Sequence, residues 1–340
     1  MSADTMCRMK ITVVGLGAVG GLIAARLALA GHEVSALARG ANLHAVSERG
    51  LRLRMGGTEQ LARIAASSNA DALGEQALVV IALKGQALPE VAPALKPLIG
   101  AHTVVLPAMN GVPWWFLRTP ALSQRLTPQL QHLKSVDPHG SIDAALPLAQ
   151  VLGCVVHLTC SQPEPGLVVH GFGDRLIIGE PMDSPSQRVE QVSQAFAGAG
   201  FQAEPSADIR RDIWFKLWGN MTTNPVSALT GATADRILDD PLVRSFMLRA
   251  MAEAADIGAQ LGCPIDQSGE DRLVVTRKLG AFKTSMLQDS EANRSLEIDA
   301  LVGAVHEIGL KLGVPTPNID TVLGLTRLMA RTRGLYPLNA

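Results

Sequence analysis

The fold of this chain is decided by residues 9–30, which read MKITVVGLGAVGGLIAARLALA. The first six of these residues predict a short buried strand, and the small residues at the end predict a helix. Between them stands the GxGxxG turn GLGAVG. Gly15 permits the tight turn, Gly17 lets the backbone approach a pyrophosphate, and Gly20 lets the helix pack closely on the strand. Because a helix N-terminus offers N–H groups and a positive dipole end to phosphates, the stretch predicts dinucleotide binding.

The residue after the second predicted strand indicates the form of the cofactor. Residues 33–38 predict that strand, and Arg39 follows it. NAD-specific folds usually carry Asp or Glu at this point to hold the ribose hydroxyls, whereas a cation pairs with the 2′-phosphate of NADP. Residues 40–42 add no acid. The sequence therefore predicts NADP(H) as the cofactor. The alternative is a surface arginine that does not contact the cofactor.

Polar residues also follow two further predicted strands. Residues 77–83 end at Lys84, and residues 103–106 lead to Asn110. Because doubly wound sheets bind ligands at the carboxyl ends of their strands, both side chains have a route to the cofactor and to a reacting carbonyl. Each could equally be an ordinary loop residue. The alternation then weakens, and further strands are predicted at residues 151–159, 166–169, 176–178 and 201–204.

From residue 208 the pattern becomes helical. Helices are predicted at residues 209–229, 240–261, 270–282, 295–312 and 316–329. The predicted architecture is α/β. A Rossmann-type doubly wound, NADP-binding domain over residues 1–206 is followed by an all-helical substrate-binding and catalytic domain over residues 207–340.

The first of these helices carries a polar stripe. Lys216, Asn220 and Asn224 stand four residues apart and therefore share one side of the helix. A cation and two neutral amides suit a small, oxygen-rich anionic ligand, and the lysine can also give a proton. The alternative is a solvated helix face. Further along, Ser285 is predicted as a helix N-cap, and Glu297 and Asp299 as first-turn acids that the helix dipole favours.

The composition narrows the class of protein. Of the 340 residues, 47% are apolar and 18% are charged, which indicates a globular chain with a large core. A net charge of -1 and an aromatic content of 4% give no support for nucleic-acid or anionic-membrane partners. No apolar run is long enough to span a membrane. The chain therefore fits a globular protein with a small-molecule partner.

Cysteine and histidine usage points to compartment and metal content. The four cysteines form no CxxC pair, and the eight histidines show no metal-ligand spacing, so we expect no metal. The cysteines fit a reducing cytosol, and residues 1–8 carry no apolar signal-peptide segment. We therefore expect a cytoplasmic protein. The apolar helices of the second half leave a homodimer and a monomer both open.

Together the motifs resemble the ketopantoate reductase family, the NADP-dependent 2-dehydropantoate 2-reductases. The likeness covers nearly the whole chain. Its signatures are GLGAVG from Gly15, Arg39, Leu83-Lys84, Asn110-Gly111, Lys216-x-x-x-Asn220-x-x-x-Asn224-Pro225, Ser285-Met286-Leu287-Gln288-Asp289 and Glu297-Ile298-Asp299. The last three, in that order and spacing, are quite specific to the family.

The resemblance implies hydride transfer from NADPH to the 2-keto carbon of ketopantoate, giving pantoate for pantothenate biosynthesis. It implies that Lys216 is the general acid that protonates the developing alkoxide. It also implies that Glu297 holds the substrate hydroxyl and helps to position the lysine. The implied substrate-binding residues are Asn110, Asn220, Asn224 and Ser285. The implied cofactor-binding residues are Gly15, Leu16, Gly17, Ala18, Val19, Gly20, Arg39, Lys84 and Asn110.

Two segments depart from the family pattern. Residues 114–116, Trp-Trp-Phe, are bulkier than expected and could line the site or a subunit contact. Residues 119–147 form a longer insertion between strands. These departures leave a second hypothesis open, the reduction of a bulkier 2-keto acid. A third hypothesis is a nucleotide-binding sensor without turnover. The presence of both a proton donor and its carboxylate partner argues against that one.

Overall fold

The structure is a computed structural model that describes residues 8–182 and 186–338. Residues 1–7 of the predicted N-terminal extension lie outside the described residues. Within the described ranges, no helix is both long enough and apolar enough to cross a bilayer. The same ranges contain no group of three or more His, Cys, Asp or Glu side chains that could hold a metal ion.

The described chain has the following elements in order. Through residue 205 they are β1 Lys10–Val14, α1 Ala18–Leu29, β2 Glu33–Leu37, α2 Gly40–Arg49, β3 Leu51–Met55, β4 Thr58–Ala62, β5 Ala65–Ser67, β6 Leu78–Ile81, α3 Leu88–Val91, β7 Val104–Pro107, α4 Pro120–Ser123, α5 Pro128–Gln131, α6 Ser141–Ala145, β8 Gly153–Glu164, β9 Leu167–Gly179, α7 Gln187–Gly198 and β10 Gln202–Pro205. The remaining elements are α8 Ile209–Thr230, α9 Ala234–Asp239, α10 Pro241–Gln260, α11 Gly269–Arg277, α12 Ser285–Glu291, a π-helical turn Asp299–Gly303, α13 Ala304–Leu312 and α14 Pro317–Thr332.

The chain forms two compact units, which are Met1–Met109 with Gly140–Ile209, and Asn110–His139 with Arg210–Ala340. The predicted division at residue 206 had placed residues 110–139 in the first domain, whereas the structure groups them with the helices. One contact that joins this segment to the helices is made by Glu307 on α13. Its carboxylate accepts hydrogen bonds from the backbone N–H groups of Lys134 at 2.9 Å and Ser135 at 2.8 Å. Burial opposes the charge of Glu307, but these hydrogen bonds hold its pKa below the usual value.

The first unit is built on a parallel sheet in the order β5-β2-β1-β6-β7. Its central strand β1 is buried, with Ile11 and Val13 fully inaccessible. All the strands are parallel. From β1 the chain adds β2 and then β5 on one side of the sheet, and β6 and then β7 on the other, so the strand order reverses between β1 and β6. In doubly wound sheets, ligands bind at this reversal, outside the carboxyl ends of the strands. The predicted Rossmann-type α/β fold is therefore confirmed.

A second sheet in the same unit was predicted only in part. It contains β10, β9, β3 and β4 in that order, with β8 antiparallel to β9. The strands predicted at residues 166–169 and 176–178 are one strand, β9. Its middle is exposed and contains Gly173 at φ +75°, and its pairing with β8 shifts register, so the alternation that signals a strand is lost there. The hairpin β3–β4 was missed because β4 is mostly exposed and polar.

Helix α1 packs against strands of both sheets, which explains its small residues. A Cβ on Gly20 would stand 1.9 Å from the Gly15 carbonyl oxygen, and a Cβ on Gly21 would stand 2.5 Å from Val168 Cγ2 on β9. Leu22 and Ile23 are fully buried. A helix that is apolar on all sides is buried on all sides, so α1 forms the middle layer of this unit.

The second unit is helical over its described residues, as predicted. Each predicted helix has a counterpart, and two of them differ from the prediction. The helix predicted to reach residue 282 ends at Arg277, with Gly280 in the left-handed region at φ +63°. The helix predicted from residue 295 begins instead with the π-helical turn. The short helix α9 was not predicted, because six residues are too few to display helical periodicity, and for α12 the sequence predicted only an N-cap at Ser285 without a range.

Candidate functional site

The glycine-rich turn has the backbone geometry that a dinucleotide requires. Gly15 adopts φ +95°, and its N–H donates to the Leu37 carbonyl at 2.9 Å. A side chain on Gly15 or Gly20 would collide with backbone, whereas a Cβ on Gly17 would meet nothing within 4 Å. Gly17 is the N-cap of α1 and supplies no side-chain hydrogen bond to it. The open side of the turn therefore presents the helix N-terminus to an anionic group.

A cleft of about 830 Å³ lies beside this turn, at the carboxyl ends of β1 and β2. The lining begins at Val14 and Gly15, continues through Ala38 and Arg39, and is completed by residues from two loops. One wall is apolar, formed by Val91, Pro93, Ala94 and Pro97. The volume is in the range of cofactor pockets, and an apolar wall suits a flat heterocycle. The residues present therefore fit a dinucleotide.

The charged residues that line the cleft are Arg39, Asp71 and Lys96. Arg39 is exposed and stands at the N-cap of α2 in an extended conformation. The predicted cation therefore lies in the cleft, where it can reach a ligand. No sequence pattern marks Asp71, which lies in a short 3-10 turn, Ala70–Ala72, after the β3–β4 hairpin. Lys84 directly follows Leu83, which lines the cleft, and is itself half-buried.

A relay of amide side chains supports the turn from the second sheet. Gln162 on β8 donates through Nε2 to the Leu16 carbonyl at 2.7 Å, and its Oε1 accepts from Asn42 Nδ2 at 3.1 Å. Asn42 lines the cleft and also accepts the Gly166 N–H at 3.2 Å. Sequence reasoning missed both amides. Residues 42 and 162 are 120 positions apart, and no local pattern links them.

In the second unit, helix α8 is anchored by its tryptophans. Trp214 Nε1 donates to the Ala254 carbonyl at 3.1 Å, and Trp218 Nε1 donates to the Met251 carbonyl at 2.7 Å, both on α10. Both indoles are almost fully buried. The indole ring of Trp214 fits because residue 258 is a glycine; a Cβ at that position would stand 2.3 Å from Nε1. These contacts fix the rotation of α8 and therefore the direction of its polar stripe.

Two predicted site residues are in direct contact in this unit. Lys216 Nζ on α8 donates to Asn110 Oδ1 at 2.8 Å, and both side chains are half-buried. Asn110 is held by the residues that follow it, because the Val112 N–H donates to the Ala300 carbonyl at 2.8 Å. Gly111 at φ +89° permits this approach, since a Cβ there would stand 2.4 Å from the Ala300 oxygen. The amide therefore orients the ammonium group.

The stripe is more buried than a solvated helix face would be. Lys216 and Asn220 are half-buried, and Asn224 is only 5% exposed. Buried amides need hydrogen-bond partners, and an amide offers both a donor and an acceptor to a ligand. The solvated-face interpretation therefore does not describe this part of α8.

Ser285 and Glu297 lie in the same unit at the ends of two elements. Ser285 is exposed and is the first residue of α12. Its predicted role as N-cap was wrong, because Thr284 caps the helix by accepting the Leu287 N–H at 3.2 Å. The Ser285 hydroxyl therefore does not serve as this cap. Glu297 is half-buried and precedes the π-helical turn by two residues.

The aromatic run at residues 114–116 is part of the interior of the second unit. Trp114 is 4% exposed, and Trp115 and Phe116 are more deeply buried. Phe116 stacks on Trp214 with ring centroids 5.6 Å apart, and its carbonyl accepts Arg210 Nε at 3.0 Å. Such burial leaves these side chains no surface for a subunit contact. Phe116 thus packs against α8, and the Trp115 ring lies beside Phe116 with ring centroids 6.4 Å apart.

Together, a parallel sheet, a glycine-rich turn at its switch point and a separate helical unit that carries a lysine define a class of protein, the pyridine-nucleotide-dependent oxidoreductases. Comparison with known proteins gives the family. The model of ketopantoate reductase PanE/ApbA matches residues 11–182, and the model of its C-terminal region matches residues 208–330. The chain belongs to the ketopantoate reductase family.

Individual relatives agree with this assignment. A 2-dehydropantoate 2-reductase from Mesorhizobium japonicum is 43% identical and covers 96% of this chain and 100% of its own. A crystal structure from Ralstonia solanacearum MolK2, provisionally named a ketopantoate reductase, is 58% identical with a TM-score of 0.92, over 98% of this chain and 100% of its own. D-Mandelate dehydrogenase with NADH and anilino(oxo)acetate has a TM-score of 0.83 at 20% identity, over 96% and 100% of the two chains. That last similarity shows the fold alone.

Proposed function

We propose that this protein reduces 2-dehydropantoate to pantoate with NADPH, with Lys216 as the general acid. The observation that carries the proposal is the 2.8 Å contact between Lys216 and Asn110, in a family whose 43% identical relative is named for this reaction. Reduction of a ketone places negative charge on one oxygen, and a positioned ammonium group both stabilises that charge and supplies the proton.

The neighbours of Lys216 suit this role. The side-chain amide oxygen of Asn110, Oδ1, accepts a hydrogen bond from one ammonium N–H and so directs the other two, while adding no charge of its own. We assign Glu297 to the substrate hydroxyl and to Lys216, since a carboxylate keeps a half-buried ammonium group protonated. Asn220, Asn224 and Ser285 are proposed to bind the substrate. The amides can pair with its carboxylate and hydroxyl groups without repelling them.

NADPH would be bound by the turn from Gly15 to Gly20 and by the side chains of Arg39, Lys84 and Asn110. When bound, it supplies the hydride. Arg39 supports NADP over NAD because a guanidinium group forms paired hydrogen bonds with a phosphate. Asp71 is the competing feature in the cleft, since a carboxylate favours the ribose hydroxyls of NAD. The expected cytoplasmic location and the choice between monomer and homodimer stay predictions.

Ketopantoate is favoured over a bulkier 2-keto acid. The bulkier substrate was inferred from residues 114–116, and the burial of all three side chains in the second unit accounts for their size. A panel of 2-keto acids assayed with NADPH tests the proposal. We expect kcat/KM for ketopantoate to exceed that for phenylglyoxylate by about 100-fold, the discrimination that a few unmatched contacts supply. The reverse order would establish the bulkier substrate, and NADPH binding without any turnover would establish a sensor.

A further inference from the structure

An acidic side chain two residues beyond Glu297 is held by the end of the chain. Asp299 Oδ1 accepts from Arg327 Nη2 at 2.7 Å. The Tyr336 hydroxyl lies 2.8 and 2.9 Å from the two oxygens of this carboxylate and donates its single proton to the carboxylate. Arg327 also lies 5.8 Å from the centre of the Tyr336 ring. We call these three residues the Asp299 cluster. It ties the π-helical turn to α14 and to the segment that follows it.

A backbone hydrogen bond adds a second attachment next to the cluster. The Leu296 N–H donates to the Leu335 carbonyl at 3.1 Å, one residue before Tyr336. Leu296 and Ile298 are both buried, at 2% and 0% exposure. Glu297 therefore lies between two anchored positions. Its backbone cannot shift unless this hydrogen bond or the Asp299 contacts break.

The π-helical turn connects the cluster to Lys216 in the other direction. Asp299 begins the turn, and the carbonyl of Ala300 accepts the Val112 N–H at 2.8 Å. Asn110, two residues before Val112, accepts the Lys216 ammonium. Single π-helical turns are rare and are frequent at functional sites. Here Glu297 lies two residues before the turn, and the second residue of the turn, Ala300, accepts the hydrogen bond from the segment that contains Asn110.

The two hydrogen-bond donors of the cluster, the Tyr336 phenol and the Arg327 guanidinium group, keep their protons at neutral pH. Burial and the adjacent Asp299 charge raise the pKa of Tyr336 to about 12, so the phenol remains a donor. Burial disfavours the charge of Arg327, but Asp299 outweighs that effect and raises the pKa of the guanidinium group. The carboxylate thus receives charge-assisted hydrogen bonds, which are shorter and stronger than neutral ones.

We propose that the Asp299 cluster positions the proton-donor groups of the reaction. It fixes Glu297 through the backbone on one side, and Asn110 with Lys216 through the Ala300 carbonyl on the other. Its members are positioning residues, with no contact to substrate assigned to them. The inference rests on the proposed function, because it gives Lys216 and Glu297 their roles.

Two variants and one control test the cluster in the full-length protein. Tyr336→Phe removes one hydroxyl and keeps the ring beside Arg331, and Asp299→Asn removes the charge at nearly constant volume. We expect kcat with ketopantoate to fall about 10-fold and about 100-fold respectively, because misplaced catalytic groups cost rate. KM for NADPH should change much less than kcat, since the glycine-rich turn and Arg39, which are proposed to bind the cofactor, lie in the first unit, whereas the cluster lies in the second.

The control is Asp320→Asn, on helix α14, which also carries Arg327 of the cluster. Asp320 Oδ1 accepts from Thr316 Oγ1 at 2.7 Å and pairs with His306 Nδ1 at 2.6 Å. This variant also loses a carboxylate with two partners, but in contacts that do not involve residues 296–299. A general loss of stability would lower kcat alike in all three variants, and that result would overturn the inference.

Hydrogen exchange gives a readout that does not depend on activity. Amides in peptides covering residues 110–116 and 295–303 should exchange faster in Tyr336→Phe and Asp299→Asn than in the wild type or the control. Faster exchange confined to residues 330–338, with unchanged kcat, would refute the positioning role. If the wild type fails to turn over ketopantoate, the proposed function fails. The exchange pattern alone then decides whether the cluster positions these segments.

Discussion

The cofactor cleft and the lysine region are built from different parts of the chain. In the first unit, the turn is shaped by backbone: Gly15 and Gly20 leave no room for a side chain, and Gly17 leaves the approach open. In the second unit, the groups are placed by side chains from distant segments, as when Lys216 meets Asn110 across 106 positions of sequence. We therefore expect the glycine-rich turn to be disrupted by substitutions that add atoms, and the region around Lys216 to be disrupted by substitutions that remove them.

The largest effect is expected from removing the amine. Lys216→Ala should lower kcat for ketopantoate by about 100-fold to 10,000-fold, the range that general acids supply, while NADPH binding in the other unit persists. Steady-state kinetics and cofactor fluorescence titration measure the two quantities separately. Lys278→Ala, an exposed lysine in the same unit, is the matched control. An undiminished kcat would remove Lys216 from the mechanism.

The next prediction concerns Arg39, a side chain that lines the cofactor cleft beside the glycine-rich turn. Arg39→Ala should weaken NADPH binding about 10-fold to 100-fold and leave NADH binding nearly unchanged, because only the 2′-phosphate loses its charge-assisted hydrogen bonds. Isothermal titration with both cofactors measures the difference. Arg49→Ala, in the last turn of the same helix, should affect neither. Equal losses of affinity for NADPH and NADH would mean that Arg39 does not read the 2′-phosphate, and would favour Asp71 as the residue that sets the preference between the two cofactors.

These two regions also differ in how far the sequence reveals them. The turn from Gly15 to Gly20 is contiguous, and each glycine has a local steric reason, so its geometry could be predicted in full. The stripe on α8 was visible because helical spacing aligns residues four apart. The contact of Lys216 with Asn110, the Gln162 relay and the Asp299 cluster were not derivable, since long-range pairing depends on how whole elements pack. The middle of β9 was missed for a related reason, the register shifts that hide its alternation.

The smallest effects are expected from substituting two glycines of the turn, Gly20 and Gly17. Gly20→Ala should lower the free energy of unfolding by about 1–3 kcal/mol, because its Cβ would overlap the Gly15 carbonyl. Gly17→Ala should cost about 1 kcal/mol or less, since its Cβ meets no protein atom and only the N-cap preference changes. The same Cβ would stand where the pyrophosphate approaches, so NADPH binding should weaken about 10-fold. Urea unfolding and cofactor titration of both variants separate the two effects. Were Gly17→Ala to bind NADPH normally, the phosphates would have to lie away from this turn, and the cleft would need another ligand.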